Sequence, residues 1–169
     1  MWVSRHHGNM PNLQKVRDSM REILYKAKRI DTGEWVVGSL IQTSYFRSIR
    51  SWISSEQEDK ARLREISSNQ AVWRALEVRT DTICQYTGMT DKNGQKIWEN
   101  DILVAHLDEK FPEDETYEQV IWHESGFCTM EKNSTDCEPL DGFDTRYFAV
   151  CGNIFDNAEF LERKESENE

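Results

Sequence analysis

The stretch Gln85-Tyr86-Thr87-Gly88-Met89-Thr90-Asp91-Lys92-Asn93-Gly94-Gln95-Lys96-Ile97-Trp98-Glu99-Asn100-Asp101-Ile102-Leu103 decides how the rest of the chain is read. Asn93-Gly94 offers two residues that tolerate positive φ, which a tight hairpin turn requires. Apolar and aromatic side chains flank the pair, Tyr86 and Met89 before it and Ile97, Trp98, Ile102 and Leu103 after it. That is the pattern of a β-hairpin, and it brings no set of reacting groups together. The segment specifies architecture rather than chemistry.

Working outward, similar signals recur on both sides. Residues 20–29 alternate in the manner of a strand, Asp31-Thr32-Gly33 is a turn, and Glu34 to Ile41 is a second strand, so a hairpin is expected across residues 22–42. Residues 43–53 mix aromatic and basic side chains as an amphipathic strand does. Ser55-Glu56-Gln57-Glu58 has the form of a capping box, which predicts a short exposed helix at 56–66. Val72 to Val78 returns to β character. Downstream, an acidic loop is expected around 108–116, strands at 118–123 and 127–131, a second acidic loop over 132–144, a strand at 147–151 and a short helix at 157–164. Short strands separated by turn signals suggest a small barrel. Trp35, Trp98 and Trp122 are expected to build its core; any of them left exposed becomes the first candidate for a partner contact.

Composition limits the function classes. The 169 residues carry a net charge of −10, distributed as +5 over residues 1–50, 0 over 51–80 and −15 over 81–169. The acidic half would repel a phosphate backbone, so any nucleic-acid contact falls to the N-terminal third. The candidate contacts are Lys26, Lys28 and Arg29 on the first strand, with Arg47 and Arg50 in the aromatic-basic segment. Charges on an edge strand also serve simply to block edge-to-edge pairing. Acidity has its own two readings: solubility, or a surface that mimics nucleic acid toward a basic partner. The candidate partner contacts are Trp35 and the acidic run Glu113, Asp114 and Glu115.

The four cysteines, Cys84, Cys128, Cys137 and Cys151, form no Cys-x-x-Cys pair. With no apolar run in residues 1–20 long enough for a signal peptide, the expectation is a reducing cytoplasm and free thiols. A metal centre would have to gather His123, Cys128 and Glu124 with cysteines from other strands, and free core thiols are the simpler reading. A Cys–His nucleophile is formally available from Cys84 or Cys128 with His106 or His123. If Trp122 faces inward, however, His123 faces solvent. Asp101 follows Asn100 in a turn, where it can accept hydrogen bonds from nearby backbone N–H groups without any catalytic role. The expectation is therefore no catalytic residue, no cofactor and no metal.

These motifs carry a family resemblance. The N-terminal set runs Met20-Arg21-Glu22-Ile23-Leu24, Lys28-Arg29-Ile30, Gly33-Glu34-Trp35-Val36 and Gly38-Ser39-Leu40. It continues through Gln85-Tyr86-Thr87-Gly88, Asp91-Lys92-Asn93-Gly94, Lys96-Ile97, Asp101-Ile102, Val120-Ile121-Trp122, Gly126-Phe127 and Gly152-Asn153-Ile154-Phe155-Asp156-Asn157. Together they resemble the YopX family of phage and prophage proteins over residues 20–42 and 78–162. Asn100 stands where the family usually has Gly, and Asn also tolerates the left-handed conformation.

The resemblance implies a phage setting and a C-terminal SH3-like β-barrel, with no established activity. The chain is then read as mainly β (β-rich α+β). It comprises an N-terminal extension (1–19), a hairpin with helix and strand (20–81), and an SH3-like barrel ending in a short helix (82–164). The leading function is a non-enzymatic interaction module that binds a host or phage protein in the bacterial cytoplasm, such as a counter-defence factor. The alternative is a nucleic-acid-binding small barrel, and a homo-oligomer is compatible with either.

Overall fold

The hairpin at Asn93-Gly94 forms, and a carboxylate builds it. The computed structural model describes residues 21–45, 48–55, 64–68, 71–106, 115–142 and 144–165. In it, strands β6 (Cys84–Thr90) and β7 (Lys96–Trp98) pair antiparallel. Gly94 takes a positive φ of 80°, whereas Asn93 does not. Gly94 N–H donates to Asp91 O and Asp91 N–H to Gln95 O. The turn is thus a longer loop closed by one left-handed glycine. Oδ1 of Asp91 accepts the amides of Asn93 and Gln95, both at 2.8 Å. Its Oδ2 accepts the Val150 amide at 2.9 Å, so one buried turn residue holds a distant strand as well.

The strands fall into two antiparallel sheets. The first contains β1 (Tyr25–Lys28), β2 (Trp35–Tyr45), β3 (Ser48–Ser54), β4 (Arg64–Ser68), β5 (Ala71–Val78), β6 and β7. Its order is β4-β5-β3-β2-β1-β6-β7. The second contains β8 (Asp101–His106), β9 (Glu115–His123), β10 (Gly126–Glu131), β11 (Glu138–Pro139) and β12 (Ala149–Asn153), in the order β11-β10-β9-β8-β12. A one-turn helix α1 (Asp144–Tyr147) and two 3-10 helices (Thr80–Thr82 and Ala158–Glu165) complete the described chain. No helix among the described residues is long and apolar enough to cross a membrane.

Three packed clusters follow from the strand alternation. Ala27, Val36, Ile53, Leu76 and Val78 fill the first sheet. Ile97 of β7 joins Leu103, Ala105, Val120, Leu140 and Phe148, with Met89 and Phe127 at its edge, so the β6–β7 hairpin shares a core with the second sheet. Cys84, Tyr86 and Trp98 form the third, against Leu24, Trp35, Val37 and Phe155. At Gly38 of β2 a Cβ would lie 2.1 Å from the Ser54 carbonyl oxygen, which is why a glycine interrupts that strand.

Several expectations need correction. The β architecture and the hairpin over 22–42 are present, but the sheets stay open, and the segment read as one SH3-like barrel divides between them. β6 and β7 join the first sheet because β6 pairs with β1, Tyr25 opposite Gln85. Residues 64–66 belong to β4, paired with β5, and not to a helix; the rest of that expected helix, 56–63, lies outside the described residues, as does the extension 1–19. The segment 43–53 supplies two arms of the β2–β3 hairpin. Cys128 and Cys137 form a disulfide with Cα atoms 5.9 Å apart, tying β10 to the β11 segment, while Cys84 and Cys151 stay thiols.

Replacing Asp91 by Ala removes acceptors for three backbone amides at once. We expect Asp91→Ala to cost about 2–3 kcal/mol, since each buried donor left unsatisfied costs roughly 1–3 kcal/mol and the exposed turn amides regain water. Asp91→Asn, which keeps one acceptor, should fall between. Urea unfolding of the three proteins, compared at constant m, measures it.

Candidate functional site

Most candidate basic residues are engaged inside the fold. β1 is a central strand of its sheet, so Lys26 and Lys28, two apart, project from one face. Lys26 Nζ lies 2.5 Å from Asp101 Oδ1, with the two side chains 13% and 1% exposed. Its ammonium stands over the rings of Trp35 at 5.1 Å and Trp98 at 5.5 Å. Lys28 pairs with Asp156, whose Oδ2 also accepts the Trp35 indole N–H at 2.7 Å. Arg29, though buried, makes a two-pronged contact with Asp31, and Arg50 makes one with Glu77. Arg47 lies outside the described residues.

This cluster is a joint between the sheets. Asp101 opens β8, and its other oxygen accepts the Trp98 amide at 2.9 Å, as its place after a turn led us to expect. Asn100 before it takes a φ of 66°, filling the glycine-like position. Burial raises the Asp101 carboxyl above its usual range, opposed by the charge and hydrogen bond of Lys26 and by the Trp98 amide. Asp156 moves the other way, down to about 2, chiefly because Lys28 hydrogen-bonds it and then because Trp35 and Asn153 do. Burial pushes the neighbouring Cys84 thiol up to about 11, so it stays protonated at neutral pH and is a poor nucleophile. Cys128 is spent in its disulfide. No group of three or more His, Cys, Asp or Glu side chains suited to a metal occurs among the described residues.

Of the candidate partner contacts, Trp35 is half-buried and held by Asp156, with its ring T-shaped against Phe155 at 5.8 Å. Glu115 begins β9 and accepts the Tyr117 hydroxyl. Glu113 and Asp114 lie outside the described residues.

The exposed aromatic is elsewhere. Trp122 lies near the end of β9, and the expectation that it faces the core is wrong: it is 49% exposed. It shares the side of β9 that carries the buried Val120, but of the pair at that level it is Phe127, across the hairpin, that packs against the core. Trp122 opposes Phe127 across the β9–β10 hairpin, and the rings meet edge to face at 5.0 Å. Beneath them is an open groove of about 320 Å³, lined by Arg21, Thr87, Met89, Trp122, Phe127 and Pro139 among others. It lies between the tip of the second sheet and β6 of the first. A second hollow of about 330 Å³ shares Phe127 and Pro139 and adds His123, Glu124, Cys128 and Cys137. The alternation Val120-Ile121-Trp122 marked the strand, but nothing in the sequence marks where its cover stops.

Comparisons with known proteins fit this architecture. The family model described as "YopX protein" matches residues 24–162, so the chain belongs to the YopX family. A crystal structure of protein EF1440 from Enterococcus faecalis aligns with a TM-score of 0.50 at 20% identity, covering 84% of this chain and 99% of that one. At that identity the likeness concerns the fold. No curated protein matches the chain.

Removing one member of a buried ion pair leaves the other charged and unpaired, at a cost of about 3–5 kcal/mol. Lys26→Met is expected to lose that much, and adding Asp101→Asn should recover much of it, because Asn keeps an acceptor for Trp98 N–H and carries no charge. A double-mutant cycle by chemical denaturation tests the pair. Asp156 supplies a pH signature. Its folded value lies below the unfolded value of about 3.9, so its contribution is present above that pH and disappears as pH falls through about 2. Asp156→Asn should thus be less stable than the parent at pH 6, with the gap closing as acid titration approaches pH 2.

Proposed function

We propose that this member of the YopX family is a non-enzymatic interaction module, encoded by a phage or prophage and acting in the bacterial cytoplasm. It binds a host or phage protein through the face centred on Trp122. The observation that carries this reading is the position of that residue. A half-exposed tryptophan, braced edge-on by Phe127 above an open groove, is the kind of anchor that dominates protein interfaces. Its hairpin is firmly placed by six consecutive cross-strand pairs, so little ordering is needed on binding. A host defence complex with a basic surface is a class of target that suits an acidic chain. Against the nucleic-acid alternative, Lys26, Lys28, Arg29 and Arg50 each already contact a carboxylate that a phosphate would have to displace.

The test is affinity purification from infected cells, run in parallel with the parent and Trp122→Ala, followed by mass spectrometry. Truncating an interface anchor costs 2 kcal/mol or more, roughly a 30-fold loss of affinity. A partner retained by the parent should therefore vanish from the variant, while the circular dichroism spectrum stays unchanged. Identical partner sets from both proteins would dismiss the reading.

A further inference from the structure

Six described cations are paired within the fold, and the segment that carries Trp122 holds more acids than bases. Lys26, Lys28, Arg29, Arg50, Arg79 and Lys96 each have a carboxylate partner. Residues 115–142, which include the β9–β10 hairpin and β11, contain seven Asp and Glu against one Lys. Glu124, Glu131, Asp136 and Glu138 are exposed and enter none of the ion pairs among the described residues. Two of them are close to the aromatic groove in the chain: Glu124 lines the adjoining hollow from the turn between Trp122 and Phe127, and Glu138 precedes Pro139, which lines both. Glu124 also occupies a left-handed backbone, φ 50°, where Gly or Asn is less strained. Arg21 is the single cation lining the groove, and its guanidinium donates to the Thr87 carbonyl at 3.3 Å.

Resting on the docking reading above, we propose that the groove takes a basic segment of a protein partner. One apolar or aromatic side chain of that segment enters between Trp122, Phe127 and Met89. Lys or Arg residues on either side of it face Glu124 and Glu138, and one can lie over the exposed indole face. The apolar contact supplies most of the affinity, and the charges supply orientation and rate. Negative charge without an internal counter-ion selects against acidic segments by the same means.

Fluorescence anisotropy with the full-length chain tests this. The probes are labelled synthetic peptides of about a dozen residues with a central Leu or Trp, flanked by Lys/Arg, by Ser or by Glu, plus a single-stranded DNA of similar length. The Lys/Arg peptide should bind at least about tenfold more tightly than the Ser peptide at low salt, with the gap shrinking as salt screens the charges. Trp122→Ala should weaken it by about tenfold or more. Glu124→Gly, which relieves backbone strain and so keeps the fold, should narrow the gap between peptides, as should Glu138→Gln. Equal binding of Ser and Lys/Arg peptides, still dependent on Trp122, overturns the charge proposal and leaves the docking face standing. Cationic binding that ignores Trp122→Ala, binding of none of the peptides at about a millimolar, or DNA binding lost in Trp122→Ala overturns both.

Discussion

The Lys26–Asp101 pair is the constraint on which the two-sheet arrangement depends. It links the central strand of one sheet to the first residue of the other across 75 positions of sequence. Such a pair is a weak source of net stability, since removing two charges from water costs several kcal/mol each. Here the cost is offset by what surrounds it. The ammonium rests over two indole rings, and the carboxylate takes a backbone amide on its second oxygen. Among the described residues no buried side-chain nitrogen or oxygen lacks a partner. What such a contact adds is discrimination: β8 cannot slide along β1 without burying an unpaired charge.

Asp91 performs the same task on the other side of the shared core. The Asn93-Gly94 turn is held by its carboxylate, which also reaches β12, while Lys92 N–H donates to the Phe148 carbonyl. Turn chemistry and inter-sheet registry are therefore one object. This is why an isolated hairpin motif could dictate the organisation of the chain. Ile97, after the turn, packs into the core of the second sheet, although its own strand belongs to the first.

That division also marks where the sequence stopped being legible. Strand periodicity and turn residues located the hairpins and the backbone-binding role of Asp101, because each is set by neighbours within a few residues, while the glycine-like position of Asn100 came from the resemblance to the YopX family. Strand pairing between β1 and β6 is set by contacts some sixty residues apart, and no local pattern encodes it. The barrel expectation failed at that step. The capping box at Ser55 to Glu58 predicts a helix reaching residue 66, yet pairing of residues 64–66 with β5 overrides propensity there. The thiol expectation failed similarly for one pair: Cys128 and Cys137 are nine positions apart, and only the fold back at β11 brings them together.

The candidate site was legible in chemistry and misplaced in space. Charge counting correctly separated a basic N-terminal third from an acidic remainder, but net charge does not say which groups face solvent. The described members of the basic set are consumed as fasteners at the sheet joint and along strand edges, whereas Glu124 and Glu131 of the β9–β10 hairpin enter none of the ion pairs among the described residues. Internal neutralisation of one sign necessarily exposes the other when the totals are unequal, and here the excess is −10. Trp122 emerges in that same region, two positions beyond the buried Val120 and close to the hairpin turn. An exposed indole and a carboxylate outside the ion pairs, Glu124, thus meet at the tip of one hairpin.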